Sequence, residues 1–273
     1  MELIDLPAVI PPRVKLGPKH FVIPDTQVKP KVPLEHLAWA GQYMLDKRPD
    51  VVVMLGDFAD MPSLSIYEEK GSKRFEGQRY ANDIAAVQKG MELLLGPLRR
   101  FNAKAARDHK TTYHPRLVML MGNHEDRITR AINHDPAHLE GIISLDDLRY
   151  AEWGWEVIDF LKPINIDGIV YSHYFCSGIK GRAITRAQTL LTKKHMSCIA
   201  GHLQGRDIAY GQRADGATIT ALIAGSFYQH EEEYLNNQTN NHWRGLYILH
   251  EVRDGNFDEM PVSLEYLKGR YGK

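Results

Sequence analysis

Five short polar clusters recur along this chain, and each one directly follows an apolar run. In chain order they are Asp25-Thr26-Gln27, Gly56-Asp57-Phe58-Ala59-Asp60, Gly122-Asn123-His124-Glu125, Tyr171-Ser172-His173 and Gly201-His202-Leu203-Gln204. The runs before the first four are typical of β-strands, and Ser197-Cys198-Ile199-Ala200 before the fifth is a weaker strand signal. Since α/β proteins gather the residues that follow buried strands at one edge of a sheet, we expect the clusters to converge on one site.

One cluster alone says little, because an Asp or a His at a strand end is more often a turn residue or a satisfied core side chain than a ligand. The order and the residue types together are more specific, and they resemble the calcineurin-like metallophosphoesterase superfamily. The pattern of that family reads D-x-H, G-D-x-x-D, G-N-H-[ED], a later single His and G-H-x-H. The positions that match it are Asp25, Asp57, Asp60, Asn123, His124, His173, Gly201 and His202.

The match departs from the family at two positions. Gln27 and Gln204 stand where the family has histidines. The resemblance extends roughly from His20 to Val252, and its overall character, including the Asp-Thr-Gln cluster, is similar to that of bacteriophage-encoded members.

The resemblance implies two divalent metal ions bridged by Asp57. One ion would be held by Asp25, Gln27, Asp57 and Gln204, and the other by Asp57, Asn123, His173 and His202. Both substitutions fall on the first ion, which indicates a re-tuned position rather than random decay. An oxygen-rich shell favours Mg²⁺, Mn²⁺ or Ca²⁺ over Zn²⁺, so we expect Mn²⁺ or Mg²⁺, weakly bound at the first position, with Zn²⁺ or Fe possible at the second. The alternative is that only the second position binds metal.

Two such ions can share a hydroxide, bring its pKa toward neutrality and stabilise an in-line displacement at phosphorus, so no protein nucleophile is required. His124 would then protonate the leaving alkoxide or stabilise its developing charge. Asp60 would accept a hydrogen bond from the other ring nitrogen of His124 and fix its tautomer. We therefore predict His124 and Asp60 as the catalytic pair. A scaffold without catalysis would have no need of this acid.

Three stretches are candidates for contacts with substrate phosphates, two of them basic and one a helical insert with arginines. Residues 98–116 are strongly basic. They form either a solvated surface or a binding surface for a phosphate-rich polymer. Residues 126–155 form a predicted helical insert in which Arg127 could bind a phosphate by bidentate hydrogen bonds, or could pair with a neighbouring acid. Between the last two clusters, Lys180 and Arg182 are the best candidates, although a solvated helix over residues 183–194 accounts equally well for the outer charges.

Composition sets limits on the class of protein. The 273 residues are 43% hydrophobic, enough for one large α/β core, and 34 Lys and Arg balance 34 Asp and Glu, which excludes a strongly basic nucleic-acid coat. Two cysteines provide no disulfide framework and favour a reducing compartment. No stretch reads as an export signal or approaches the roughly 20 apolar residues of a membrane span, so we expect a cytoplasmic protein, in the host cytoplasm if it is phage-encoded.

The predicted fold is an α/β sandwich of two facing mixed β-sheets flanked by helices, as the resemblance implies. Residues 1–19 would be an extended arm and residues 20–273 a single domain. Helices are predicted over residues 34–47 and 80–95, and strands of a second sheet over residues 217–224 and 245–252. The predicted function is hydrolysis of a phosphoester in a nucleotide, a cyclic nucleotide or a nucleic-acid end. The alternatives are an exonuclease-type phosphodiesterase and a non-catalytic metal-binding scaffold.

Overall fold

Two mixed β-sheets face each other in the computed structural model, which describes residues 16–65, 77–178, 181–230 and 242–272. The strands are β1 His20–Ile23, β2 Val51–Met54, β3 Arg116–Leu120, β4 Glu156–Ile158, β5 Ile164–Ile166, β6 Ile169–Ser172, β7 Cys198–Ala200, β8 Arg206–Gln212, β9 Thr218–Ala224, β10 Gly245–Arg253 and β11 Asn256–Ser263. The α-helices are α1 Glu35–Lys47, α2 Tyr80–Arg107, α3 Arg127–His134, α4 Pro136–Leu139, α5 Ala187–Lys194 and α6 Leu264–Tyr271. Short 3-10 turns span Pro62–Leu64, Leu145–Leu148 and Ala151–Trp153.

The strand order places the five polar clusters at one edge of each sheet. In the first sheet the order is β11-β10-β1-β2-β3-β4, and β1 to β4 are parallel. In the second sheet the order is β5-β6-β7-β9-β8, and β6, β7 and β9 are parallel. Parallel neighbours end on the same side, so the loops that follow β1, β2 and β3, and those that follow β6 and β7, form one rim for each sheet.

Both faces of the central strands are buried, which explains why these runs are apolar without interruption. Alternate side chains of β2 point in opposite directions: Val51 and Val53 pack between the two sheets, whereas Val52 and Met54 face the helices. Leu222 of β9 belongs to the same core between the sheets. That core is the hydrophobic centre that holds the sandwich together.

The helices form the outer layers of the sandwich. Helices α1, α2 and α6 contribute to the core on the outer face of the first sheet, and α5 packs on the outer face of the second. The predicted helix over residues 34–47 is confirmed as α1, whereas the predicted end of the next helix at residue 95 was wrong. Helix α2 continues through Pro97 to Arg107, and Gly96, Pro97 and Leu98 are buried. Burial of this turn against its neighbours offsets the hydrogen bond that proline removes.

Two further expectations need correction. Strand β10 belongs to the first sheet, where it pairs antiparallel with β1, and not to the second. The partner of a strand is chosen by long-range packing that its own pattern does not encode. The expected helix over residues 183–194 begins only at Ala187.

Most of the predicted N-terminal arm lies outside the described residues. Its last part runs along β10, where the backbone N–H of Gly17 donates to the Glu251 carboxylate and Pro18 accepts from Val252. Both cysteines are unpaired. Within the described part of the chain, no helix combines the length and the apolar character that crossing a membrane requires.

Candidate metal centre

The rims of the two sheets meet and bring the predicted ligands together. The first sheet supplies the residues after β1, β2 and β3, which are Asp25, Gln27, Asp57, Asn123 and His124. The second sheet supplies the residues after β6 and β7, which are His173, His202 and Gln204. A site of this kind is divided between two layers, so its geometry depends on how the sheets pack.

Asp57, His173 and His202 form the centre of the site, because each offers one ligand atom and these atoms lie within 4.8 Å of one another. The Nδ1–H of His173 donates to the Leu55 carbonyl at 2.8 Å, which fixes the ring. Its Nε2 then lies 3.3 Å from Asp57 Oδ2 and 2.9 Å from Asn123 Oδ1. Oxygen and nitrogen atoms thus converge on a point that a proton or a cation can occupy.

Asp25 and Gln204 form the other half of the site. Asp25 is completely buried, and its carboxylate accepts from the His202 backbone N–H and from the Gln204 amide nitrogen, both at 3.0 Å. The amide oxygen of Gln204 is buried without a hydrogen-bond partner among the described residues. Gln27 is buried, and its backbone N–H donates to the Asp57 carbonyl at 2.9 Å. The amide nitrogen of Gln204 faces Asp25, so the two residues would share a hard cation once the amide is turned to bring its oxygen beside the carboxylate.

The electrostatics of the site also fit a cation. Burial and the neighbouring Asp57 raise the pKa of Asp25 to about 7. Burial disfavours the charged form of His173, yet attraction to Asp57 outweighs it and raises the pKa of the imidazole to about 9. Burial and the nearby His173 lower the pKa of His202 to about 4. Among the described residues, neither aspartate forms an ion pair with a Lys or Arg. Metal ions displace protons from such groups.

His124 and Asp60 form a hydrogen-bonded pair at the rim of the site. The Nδ1–H of His124 donates to Asp60 Oδ1 at 2.7 Å, and its Nε2 lies 3.7 Å from Asp57 Oδ2. Burial opposes the charge on His124, but Asp57 and Asp60 outweigh it and raise its pKa. Burial likewise opposes the charge on Asp60, but His124, Lys29 at 2.9 Å and Arg127 at 3.3 Å hold its pKa well below the usual range. Asp60 is therefore an ionised acceptor that orients the ring.

Glu125 holds the site loops together, a role that its place in the third cluster did not reveal. Its buried carboxylate accepts from the backbone N–H groups of Asp57, Ala59 and Gly122 at 3.0, 2.8 and 2.9 Å. The hydroxyl of Tyr150 donates to it at 3.2 Å. One side chain thus joins the loop after β2 to the loop after β3 and fixes the backbone of the central aspartate.

Two glycines allow the site loops to approach each other. A Cβ on Gly122 would lie 2.1 Å from Asp57 Oδ1, and a Cβ on Gly201 would lie 2.5 Å from Asp25 Oδ1. Any other residue at these positions would displace a carboxylate. The backbone of Asp57 and His202 has φ of 51° and 66°, a left-handed conformation that non-glycine residues rarely adopt. Such conformations cost on the order of 1–3 kcal/mol each and cluster at functional sites.

The structure describes two of the three residues that were predicted to contact substrate phosphates. The guanidinium of Arg127 donates to the Asp60 carbonyl at 2.7 Å, and its other terminal nitrogen lies 3.5 Å from His124 Nε2. Of its two predicted roles, Arg127 therefore takes the one in which it pairs with a neighbouring acid. It still borders the site. Arg182 is exposed, and Lys180 lies outside the described residues. Their contact with substrate stays a prediction.

The basic segment 98–116 lies away from the site. It ends at Arg116, which begins β3, whereas the site residues follow the opposite end of that strand. A polymer bound to this segment would not be directed to the candidate metal centre. Part of its charge is used locally, since the guanidinium carbon of Arg99 lies 3.7 Å from the ring centroid of Trp153.

Sequence reasoning missed two further contacts of the site. Lys29 pairs with Asp60, and only its position shortly after the first cluster could have indicated this. Tyr174 lies beside His202 with ring centroids 4.7 Å apart, and it directly follows the ligand candidate His173.

Comparison with protein-family models and with curated proteins gave no match. The site geometry therefore supplies the grounds for a functional assignment.

Proposed function

We propose that the protein is a metal-dependent phosphoester hydrolase built on a metallophosphoesterase-type sandwich. The observation that supports this most directly is the buried cluster of Asp57, His173 and His202, whose ligand atoms lie within 4.8 Å of one another, with the buried carboxylate of Asp25 nearby. Buried charges of this kind are ordinarily paired or bind metal.

The donor set fits two cations of the Mn²⁺ or Mg²⁺ type. Asp57, Asn123, His173 and His202 would hold one, with Zn²⁺ or Fe as possible occupants, and Asp25, Gln27, Asp57 and Gln204 would hold the other. The unpartnered amide oxygen of Gln204 supports the second set. When bound, such ions supply Lewis-acid activation of water and of the phosphoryl group.

His124 would act as the general acid. Its Nδ1–H is committed to Asp60, so the Nε2 proton is the one that can be given to the leaving alkoxide. In the metal-free protein, attraction to Asp57 and Asp60 raises the pKa of His124. Lys29 and Arg127 keep Asp60 ionised as the acceptor. Because this arrangement does nothing to hold metal, it favours catalysis over the alternative of a binding scaffold.

The substrate class we propose is a phosphorylated small molecule or a nucleic-acid end, including nucleotides and cyclic nucleotides. His202, Gln204, Asn123 and His124 are all partly exposed, so the site is open to a ligand from solution. The competing proposal is an exonuclease-type phosphodiesterase. Its binding of a polymeric substrate would weaken steeply as the salt concentration rises.

The test is hydrolysis of p-nitrophenyl phosphate and bis-p-nitrophenyl phosphate by metal-stripped protein titrated with Mn²⁺, Mg²⁺ and Zn²⁺. We expect activity with Mn²⁺ or Mg²⁺. The variant His124→Ala should lower kcat by roughly 10²–10⁴-fold on an alkyl phosphate ester such as a nucleotide, whose alkoxide needs a proton as it leaves, while metal content stays intact. p-Nitrophenolate leaves without a proton, so the chromogenic esters report metal dependence and not the acid. His138→Ala is the matched control, because His138 is an exposed histidine of the insert that follows the third cluster, and its partner is Asp135.

Full activity of His124→Ala on the alkyl phosphate ester would refute the assigned acid. Silence with every metal and both substrates, together with stoichiometric metal binding, would favour the scaffold instead.

A further inference from the structure

A groove of about 540 Å³ shares His202 and Gln204 with the candidate metal centre. Arg206, Asp207 and His242 also line it. Its volume lies within the range of ordinary ligand sites, roughly 300–1,000 Å³, so it holds more than one phosphate group. A substrate bound at the metal centre can therefore extend into it.

Arg206 is an exposed cation of this groove. Its guanidinium carbon lies 5.4 Å from the ring centroid of Trp243 and 5.8 Å from that of Tyr247. Among the described residues, Arg206 forms no ion pair with a carboxylate. Stacking on aromatic faces restrains the plane of the guanidinium and leaves its N–H edges available, which suits binding of a phosphate oxygen pair.

The neighbouring acid does not cancel this charge. Asp207 Oδ2 lies 3.3 Å from Nε of Arg186 and also accepts from the Ala187 backbone N–H at 2.9 Å. The groove thus carries one balanced ion pair and one additional cation. Arg206 is two residues beyond Gln204, so their backbones are at most about 7 Å apart. A group that contacts Arg206 can belong to the same substrate as a phosphate at the metal centre.

We propose that Arg206 binds a second phosphate of the substrate, next to the phosphate that is cleaved. This rests on the proposed function and narrows it to substrates with two phosphates near each other. Such a pair occurs in a nucleoside bisphosphate and in the end of a nucleic-acid chain, and the same contact would serve both.

The test compares p-nitrophenyl thymidine 5′-phosphate with the same ester carrying an additional 3′-phosphate, and both with a short oligothymidylate, at a fixed Mn²⁺ concentration. We expect kcat/KM of the wild-type protein to be about tenfold higher when the second phosphate is present, as one charge-assisted contact implies. Arg206→Gln should erase that preference by raising KM for the two-phosphate substrate. Preference for the bisphosphate or for the oligonucleotide identifies the source of the second phosphate.

Arg213→Gln is the matched control, because Arg213 lies just beyond the other end of β8 and pairs with Asp215. It should leave the preference intact. A second measurement follows binding of labelled oligothymidylate to metal-free protein by fluorescence anisotropy across a salt series. Arg206→Gln should reduce the slope of log affinity against log salt by about 0.7, the value for one contact to a single strand, and Arg206→Lys should retain it.

Two outcomes overturn the inference: equal kcat/KM of the wild-type protein with and without the second phosphate, or a preference that survives in Arg206→Gln. Absence of hydrolysis with every substrate contradicts the proposed function instead, and the binding measurement then decides the role of Arg206. An unchanged salt slope in Arg206→Gln would refute it.

Discussion

Replacing Glu125 with Ala should destabilise the fold and the metal centre together. The change removes the acceptor of three buried backbone N–H groups, those of Asp57, Ala59 and Gly122. A buried donor left without a partner costs about 1–3 kcal/mol, so the three together cost about 3–9 kcal/mol. Burial and the nearby Asp57 raise the pKa of Glu125, which means that its own charge is unfavourable, and relief of this charge offsets part of the loss.

We expect a net loss of about 4 kcal/mol, a large part of the 5–15 kcal/mol that stabilises a typical domain. The assay is urea unfolding followed by circular dichroism, with an unchanged m-value as the condition for comparing free energies of unfolding. Metal affinity should fall as well, because Asp57 loses its backbone support.

Two variants separate this cause from general effects of substitution. Tyr150→Phe removes only one hydrogen bond to Glu125 and should cost about 1 kcal/mol. Glu140→Ala, at an exposed glutamate of the insert that follows Glu125, should stay within about 0.5 kcal/mol of the wild type. A loss below about 1 kcal/mol in Glu125→Ala would show that water or local rearrangement satisfies these donors, and the reasoning would be refuted.

Three further results are expected. Gln27→His combined with Gln204→His should raise Zn²⁺ affinity at the first position, because imidazole is the softer ligand. The affinity is measured by competition with a chromophoric chelator. Unchanged affinity would mean that these residues are misassigned. Gly201→Ala should lower metal content measured by mass spectrometry because its Cβ crowds a carboxylate, whereas Gly211→Ala, where a Cβ meets no atom closer than 3.4 Å, should not. Burial lowers the pKa of His36 from 6.5 to about 4, so its neutral form stabilises the fold above pH 6.5 and this contribution is lost as the pH falls through 4. In urea unfolding over this range, the wild-type protein should lose roughly 3 kcal/mol more than His36→Gln, and equal losses would contradict the assignment.

The sequence predicted the strands that precede the site because their signal is local. Runs such as Val51–Met54 are apolar on both faces, and a polar cluster follows each of them at once. Convergence of Asp57 and Asn123, which follow neighbouring parallel strands, then follows from the general rule that such strands end at one edge of their sheet. That successive side chains of a strand point to opposite faces also follows from the sequence, since the period of a strand is two.

Other features depend on partners that are far away in the sequence. The placement of β10 beside β1, more than 200 positions earlier in the chain, could not be read from either strand. Glu125 looked like an ordinary acid after His124, and its role appears only when the loops after β2 and β3 are brought together. The continuation of α2 through Pro97 likewise reflects burial against neighbours rather than helix propensity.

The division of the candidate metal centre between two sheets would link metal binding to the stability of the whole sandwich. Asp57 extends from the first sheet and His173 and His202 from the second, so a cation held by these three would cross-link the layers. A ligand that binds only the folded state stabilises it by about 2.7 kcal/mol at a concentration 100 times its dissociation constant. Cellular metal supply would then set the lifetime of the folded protein as well as its activity, and chelation would act on this chain as a mild denaturant.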